Sequence, residues 1–480
     1  MTFTHGVTST ELAAPTRALG TLSNPIAYVG KAKISGKKAG TYAATAGQWT
    51  RLETRAEAVA WLGLDSDAAQ IGFDLSSRTL GYSIPGFLGE FFDTTKLKDI
   101  FVYNVANFTT VTDTVVAATD GTVYALANGY VKDVNVTDTP GTATYLIDKD
   151  YTFAHKTGVI SRIAGASIGS SAAISVDYKF AKETASSVTF GDIQSAFTTI
   201  DSIFQSDGVV PSILLAPRLT DLTADTANVV IKAMKTATDL MDDVYECRAI
   251  VGTEQASKAA IADRILSAVA TAHVDLDYVG HFPLSPTGLA PDEVYALKWM
   301  ENAAQTNGII GINPASNEFV DIATPASPFG DADANTLNDD GINTFVSHNG
   351  MKTWGNYTSS YSETGEFLDN FSSIRFILIW IKNNCNYYTR TYMVDKETNP
   401  RKIQYHLSNM QKNYIDKAIR AGALLKGSKI TFSIDDNPTA DMLAGKYVYG
   451  FSLGFIPPAT SITNEYWYNE DLIVNLFSGE

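Results

Sequence analysis

The sequence predicts a multidomain α/β and α+β protein: a mainly parallel α/β sandwich, an all-β domain inserted into it, and a C-terminal helix-plus-hairpin domain bearing strand-exchanging terminal arms. Three observations predict it. Between residues 185 and 336 helical and strand-like patterns alternate, which implies a mainly parallel sheet covered by helices. Between 109 and 184 the pattern is instead short β-type runs separated by turn residues. Past the last compact unit, Asp471-Leu472-Ile473-Val474-Asn475-Leu476-Phe477 reads as a strand whose backbone groups need a partner, and another copy of the chain is the natural one.

Each element is justified in turn. Residues 1–20, mixing Thr, Ser, Gly and Ala around Pro15, form an N-terminal arm. The first part of the α/β core (21–108) opens with the buried strand Ala27-Tyr28-Val29-Gly30. It continues with a short helix over 56–64 and with Phe87, Phe91 and Leu97 ahead of the strand Ile100-Phe101-Val102-Tyr103. In the inserted β-domain (109–184), Gly129-Tyr130-Val131, Tyr145-Leu146-Ile147 and the run 173–178 are strand-like, and Asp150 to Arg162 alternates as a hairpin does. In the second part of the core (185–336), Phe190, Ile193, Phe197, Ile200 and Phe204 fall at spacings of three and four, one face of a helix before the buried strand 209–216. Helix-then-strand pairs follow: 222–241 into 249–251, 255–270 into 274–282, and 291–304 into Ile309-Ile310-Gly311-Ile312.

The C-terminal domain (337–463) begins with the loop 337–344 and Trp354-Gly355-Asn356. Ile374, Leu378, Cys385, Tyr388 and Tyr392 mark one helix, and Ile403, Leu407, Met410, Tyr414, Ala418, Ala421 and Leu425 a second, closed by Gly427. A hairpin then pairs 430–434, carrying Ile430, Phe432 and Ile434, with 446–456, where Tyr447, Tyr449, Phe451, Leu453 and Phe455 share one face. Pro457-Pro458 stops it, and the C-terminal arm is 464–480.

Composition excludes several functions. Hydrophobic residues make up 45% and charged ones only 18% of the 480 residues, so little charge is available to cover a surface and protein covers much of it instead. The formal net charge is -16 with no basic run longer than two residues, so a direct nucleic-acid partner is not expected. The longest apolar run, 374–381, contains Arg375 and falls far short of a membrane span, and the N-terminus lacks signal-peptide features. Cys247 and Cys385 read as small buried hydrophobes, compatible with cytoplasmic assembly.

No motif carries a catalytic or cofactor reading past its bland alternative. Gly30 to Lys38 has the wrong spacing for a phosphate loop, with Lys38 where a hydroxyl should meet magnesium, and reads as a surface loop. His273, Asp275, Asp277 and His281 are metal-type ligands that define no known site. Strand ends at Ala216-Pro217-Arg218, Gly252-Thr253-Glu254 and Asn313-Pro314-Ala315 are where an enzyme of this class binds ligands, and Glu254 reads as a helix N-terminal carboxylate there. His5, His155, His348 and His406 are scattered, and Trp354 reads as packed in a loop where Gly355 permits close backbone approach. Catalytic residues, metals and cofactors are expected to be none.

Taken in order, a series of short motifs resembles the tail sheath proteins of contractile-tailed bacteriophages and related contractile injection systems. His5-Gly6-Val7 with Glu11, then Pro25 to Ala32, is similar to the family's opening arm and following strand. Asp150-Tyr151, Gly158 to Arg162 and Val176-Asp177-Tyr178 fit its inserted domain. Ala216-Pro217, Pro314 to Asn317, Leu337 to Thr344, Trp354-Gly355-Asn356, Phe371 to Arg375, Gly422 to Gly427, Asn437, Gly445 and Phe455-Ile456-Pro457-Pro458 complete the series. The chain departs from the family at Phe376, where a second Arg is common, and at Ala459-Thr460-Ser461 in place of an acidic turn.

The resemblance implies a structural subunit, not an enzyme, that forms six-fold rings stacked helically around an inner tail tube protein. It implies contraction that drives the tube through a host envelope, a place in the virion tail, baseplate and tail terminator proteins as further partners, and no membrane insertion. Phe3, His5 and Val7 at one end and Leu472, Ile473, Val474, Leu476 and Phe477 at the other are the expected inter-subunit arm contacts, with the hairpin as acceptor. The alternatives are a bacterial contractile injection or secretion particle and, in a different class, an oligomeric α/β enzyme working at its strand C-terminal ends.

Simple energetics make such linkage collective. Burying Leu472, Val474 and Leu476 contributes roughly 5–9 kcal/mol, and about five strand hydrogen bonds add roughly 0.5–1.5 kcal/mol each. Ordering about eight residues costs about 1–2 kcal/mol each. One arm is near balance, and repetition around rings supplies the stability.

Overall fold

The computed structural model describes residues 25–32, 37–38, 41–42, 47–62, 83–94, 99–106, 108–116, 122–129, 131–154, 157–169, 172–181, 190–219, 228–240, 244–255, 257–269, 277–281, 289–320, 329–361, 367–396, 398–460 and 462–465. Residues 1–20 and 466–480, with Phe3, His5, Val7, Leu472, Ile473, Val474, Leu476 and Phe477, lie outside the described residues. So do Leu97, Tyr130, His155, His273 and Asp275.

The strands are β1 (Ile26–Gly30), β2 (Lys37–Lys38), β3 (Thr41–Tyr42), β4 (Trp49–Leu52), β5 (Ile100–Asn104), β6 (Phe108–Val116), β7 (Val123–Ala125), β8 (Val131–Asp138), β9 (Thr144–Tyr145), β10 (Tyr151–Ala154), β11 (Val159–Arg162), β12 (Ala173–Ala181), β13 (Ile213–Leu215), β14 (Asp239–Leu240), β15 (Tyr245–Glu246), β16 (Arg248–Glu254), β17 (Asp277–His281), β18 (Ile342–Ser347), β19 (Met351–Trp354), β20 (Lys429–Thr431) and β21 (Gly450–Ser452). The helices are α1 (Arg55–Trp61), α2 (Ile84–Thr94), α3 (Phe190–Thr198), α4 (Asp201–Asp207), α5 (Val229–Thr236), α6 (Lys258–Val269), α7 (Pro291–Gln305), α8 (Asp331–Asp339), α9 (Phe367–Asn370), α10 (Ser372–Tyr392), α11 (Pro400–Met410), α12 (Asp416–Arg420) and α13 (Thr439–Leu443).

An eight-stranded sheet in the order β19-β18-β17-β16-β13-β1-β5-β4 organises the body. Its six inner strands run parallel, and β19 and β4 are antiparallel edges. Alternate residues explain why these strands read as continuous apolar runs: Ala27, Val29, Phe101, Leu214 and Val251 enter one core with α3 and α5, while Ile26, Tyr28, Val102, Ile213 and Ile250 enter the opposite one with α2 and α7. Two buried polar contacts pin the layers. Tyr28 donates to Glu293 Oε1 at 2.6 Å, and Arg248 on β16 pairs with Asp277 on β17 at 2.7 Å, with the Ser372 hydroxyl of α10 donating to the same carboxylate at 2.8 Å.

Several features differ from the sequence expectations. Leu337 to Thr344 is not a loop but the end of α8, a turn at Asp340-Gly341 and the start of β18. Ile309-Ile310-Gly311-Ile312 is a turn, not a strand: Gly311 has φ +102°, and its backbone runs so close to Ser373 O that a Cβ would lie 2.3 Å away. A unit starting at 337 would cut the sheet, because Ile342 and Asn343 on β18 pair with Tyr278 and Val279. The 190–204 helix breaks between α3 and α4. The 403–425 helix is interrupted by a π-helical turn over Gln411–Ile415 and ends at Arg420, ahead of Gly422 at φ +81°.

Between β5 and α3 the chain forms two small sheets, β10-β11-β7 and β6-β12-β8-β9, around Tyr124, Val136, Tyr151, Ile160, Val176 and Tyr178. Asp150 accepts the Leu146 and Ser167 amides, which holds its carboxyl below the usual range. The last unit packs α10, α11, the π turn and α12 around Trp380, Cys385, Tyr388, Met410 and Tyr414, with β20 and β21 laid over them.

Candidate strand-acceptor site

The platform for the hairpin is built from α10 and α11. Asn399 caps α11 by accepting the Lys402 amide at 2.9 Å, and Pro400 occupies the first turn, where it has no amide to lose. Buried His406 stacks on Tyr388 with ring centroids 4.7 Å apart and lies 3.1 Å from Thr389 Oγ1; burial pushes its pKa down to about 4, so it is neutral at pH 7. Ile430, Tyr449, Leu453 and Phe455 pack onto this platform.

The π turn places one side chain decisively. Gln411 Oε1 accepts the Ile430 amide at 2.9 Å, and its Nε2 donates to Ser428 O at 3.1 Å and to Asp416 at 2.8 Å. A side-chain amide thus closes the outer edge of β20. It also fixes the ladder. Lys429, Ile430 and Thr431 face Ser452, Phe451 and Gly450. With its N–H turned to Gln411, Ile430 belongs to a non-hydrogen-bonded pair, so the ladder bonds run at Lys429/Ser452 and Thr431/Gly450.

Phe451 must then direct its own N–H and C=O away from β20. Flanking contacts set the same alternation. Asn437 at the tip accepts the Val448 amide at 2.6 Å and donates to Val448 O at 2.9 Å, and Gly454 bonds Ser428 Oγ at 3.0 Å and Leu425 N at 2.8 Å. Even-numbered residues therefore turn inward. The backbone groups of Tyr449, Phe451 and Leu453 turn outward and meet no partner among the described residues. Apolar surface surrounds this edge: Phe451 is 42% exposed, Val448 53%, Ile456 46% and Leu443 84%.

The structure brings Ile430, Phe432, Tyr449, Leu453 and Phe455 to one hairpin, with Phe432 and Tyr449 rings 6.0 Å apart. Its paired region is shorter than the 430–434 and 446–456 expectation. Ile434 is 75% exposed in the bend ahead of α13, because Asn437 bonds Ser433 O and takes the place of a ladder there. Tyr447 is half-buried outside the ladder. Asn437 stands in the series of motif residues without a role assigned to it there, and Gln411 was missed; nothing in local sequence ties Gln411 to a strand so many residues later.

Polar groups couple this unit to the body. Arg375 and Lys382 on α10 hold Glu246 at 2.5 and 3.0 Å, and Asn383 clamps the Glu246 N–H and C=O at 2.9 and 2.7 Å.

The remaining sequence candidates fall elsewhere. Asp277 is the buried partner of Arg248, and no group of metal-type ligands occurs among the described residues. Lys37 and Lys38 lie in a two-stranded ribbon, not at the helix N-terminus a phosphate loop requires. His348 is exposed in the β18–β19 turn. Burial pushes the Cys385 thiol up to about 12 and that of Cys247 up as well. No helix among the described residues is long and apolar enough to cross a membrane.

A cavity of about 530 Å³ lies between the 313–318 loop, Asn335 and Asn338 of α8, the Trp354–Tyr357 loop and Pro458–Thr460. Because Trp354 pairs with Thr344 near the start of β18, the cavity sits at the edge where the parallel strands begin. Pro217 follows β13 and Glu254 ends β16, both at the opposite edge of the sheet from the cavity, so the three strand-end candidates do not converge. Trp354 Nε1 donates to Asn335 at 2.8 Å, and Asn356 bonds Ser373. Gly355, at φ +115°, lies where a Cβ would be 2.6 Å from the Oδ1 atoms of both Asn338 and Asn343, so the close-approach reading of this loop holds.

Comparison with known proteins places the fold. Residues 102–190 match a family described as "Protein of unknown function UCP028589". No curated protein matches the chain. A chain of the anti-feeding prophage (AFP) baseplate, six-fold symmetrised, is similar at 12% identity and TM-score 0.55, over 98% of this chain and 100% of that one. The AFP helical sheath in its contracted state is similar at 14% identity and TM-score 0.54, with the same coverage. The sheath tail protein of Desulfitobacterium hafniense is similar at 14% identity and TM-score 0.52, over 90% of this chain and 94% of that one. The chain therefore has the mixed α/β, several-sheet fold of contractile sheath proteins.

Proposed function

We propose that the protein is a contractile tail sheath subunit, which polymerises around an inner tube and contracts to drive that tube through a host envelope. The observation that supports this reading is the outer edge of β21, which meets no partner among the described residues and carries exposed Phe451, in a chain similar to a contracted helical sheath over 98% of its length. Its apolar C-terminal arm, with Leu472, Ile473, Val474, Leu476 and Phe477, completes that edge on another copy by strand addition. The N-terminal arm, with Phe3, His5 and Val7, links to a further copy. The working units are the arms 1–20 and 464–480, the core 21–108 with 185–336, to which β18 and β19 also belong, the β-domain 109–184, and the helix-plus-hairpin unit that follows β19 up to 463.

The closed edge of β20 restricts direct strand addition to one side of the hairpin. During contraction the swapped strands stay paired while the bodies move to a second packing of lower free energy, so strain stored in the assembly drives the stroke. A baseplate and a terminator protein bound the polymer, which forms in the host cytoplasm as part of a particle tail. Solved neighbours from AFP and from the sheath complex of an extracellular contractile injection system (PVC), the latter at 11% identity and TM-score 0.54, favour an injection particle as the setting. Phage tails remain the other form of the same machine. Among the described residues lining the cavity Glu318 is the one charged side chain, so no pair of titratable groups converges there to favour the enzyme alternative.

Negative-stain microscopy of the purified full chain tests the proposal. Hollow cylinders are expected; a monodisperse small oligomer under all assembly conditions contradicts it.

A further inference from the structure

The chain carries three Asn-Gly pairs: Asn128-Gly129, Asn307-Gly308 and Asn349-Gly350. Such a pair can react without an enzyme. The glycine amide nitrogen attacks the asparagine Cγ, the new N–C bond closes a five-membered succinimide, and the side-chain nitrogen leaves as ammonia. Water then opens the ring at either carbonyl, which gives aspartate or isoaspartate. Glycine favours the attack because it has no Cβ to shield its nitrogen, and the fold decides whether the two atoms can meet.

The structure separates the three pairs. The Asn128 side chain donates to the Tyr178 hydroxyl at 2.9 Å, and its carbonyl is packed against Gly158, where a Cβ would lie 2.2 Å from that oxygen. Asn307 lies just past the end of α7, and the attacking nitrogen there is already engaged: Gly308 N donates to Ala303 O at 2.9 Å. Asn349 and Gly350 are both exposed, in the three-residue connection 348–350 that follows the Ser347/Met351 pair of β18 and β19. Neither the Asn349 side chain, nor its carbonyl, nor the Gly350 amide meets a hydrogen-bond partner among the described residues. The bond that closes this tip runs from His348 N to Gly350 O at 2.9 Å and belongs to the next peptide, so the 349–350 peptide can rotate without breaking it.

The turn itself demands the reactive pair. Asn349 has φ +59° and Gly350 φ +127°, and a Cβ at position 350 would lie 3.3 Å from Phe319 Cε1. We propose that Asn349 is a site of spontaneous deamidation, where the free Gly350 amide closes on the Asn349 side chain and the protein ages to a mixture of asparagine, aspartate and isoaspartate. This chemistry is independent of assembly into a sheath. Each conversion adds one negative charge to a chain of formal net charge -16. Isoaspartate also lengthens the main chain by one atom between Ser347 and Met351, the pair that ends the ladder.

The test incubates the full-length protein in mildly alkaline buffer, native and in denaturant, and follows all three peptides by mass spectrometry with fragmentation that separates isoaspartate from aspartate. In the native protein position 349 should convert about tenfold faster than 128 or 307, whose pairs must first lose a hydrogen bond. In denaturant the three rates should come together. Equal native rates, slower conversion at 349 than at either other site, or the same rate ratio in denaturant as in the native protein would overturn the inference. Asn349→Gln, which would have to close a six-membered ring, should leave that peptide unchanged over the same period with an unaltered melting temperature; deamidation persisting at its former rate in the variant peptide places the reaction elsewhere and also overturns it.

Discussion

The large sheet and the hairpin deal with their edges in opposite ways. At β19 the chain covers its own edge: Asn317 N and Thr353 O, Thr353 N and Glu318 O, and Val320 N and Met351 O are hydrogen-bonded at 2.7–3.0 Å. At β20 the Gln411 side chain does the same work. At β21 no group among the described residues does, although the same chain twice shows the means to close an edge. An unprotected edge bordered by exposed Phe451 and Val448 invites aggregation in a monomer. In a subunit that other copies complete, it is the point of attachment.

The strongest way to break the comparison acts on that edge alone. Phe451→Pro removes an amide that the monomer does not use, so polymerisation should be lost while thermal stability falls by about 1 kcal/mol or less; microscopy and melting curves together check it. Deleting residues 465–480 should have the same outcome from the other side, a folded, soluble monomer. Sheaths of normal length from either protein contradict the arm account.

Smaller effects sharpen the contrast by testing the closed regions. Asp277→Ala leaves the Arg248 charge buried beside β17 and should destabilise the body by roughly 3–5 kcal/mol in denaturant unfolding. His406 has a folded pKa of about 4 against an ordinary value of 6.5, so the unfolded chain binds more protons between those values. Stability should therefore be constant above about pH 6.5 and fall by on the order of 3 kcal/mol on acidification to about pH 4. His406→Gln should flatten that part of the profile. Gln411→Leu leaves the Ile430 amide unmet and should cost about 1–3 kcal/mol, with faster amide exchange confined to β20.

Much of the body was legible because a parallel strand buried on both faces, such as Ile26 to Gly30, leaves a continuous apolar run, and α7 and α10 leave helical stripes. The hairpin was legible in its alternating aromatics. The state of each of its edges was not, since Gln411 reaches β20 only through the π turn, a local rearrangement with no compositional signal. Ile309–Ile312 misled because Gly308 and Gly311 curl an apolar run that α10 buries as a turn. The amide cavity was invisible for a simpler reason: four segments far apart in sequence supply its walls.

Residue-level hydrogen exchange at Tyr449, Phe451 and Leu453 tests the central claim most directly, measured in the monomer lacking 465–480 and in the full-length assembled protein. The account predicts fast exchange in the monomer and strong protection in the polymer, with the Ile430 amide protected in both. Protection of all three already in the monomer, or fast exchange persisting in the polymer, would contradict it.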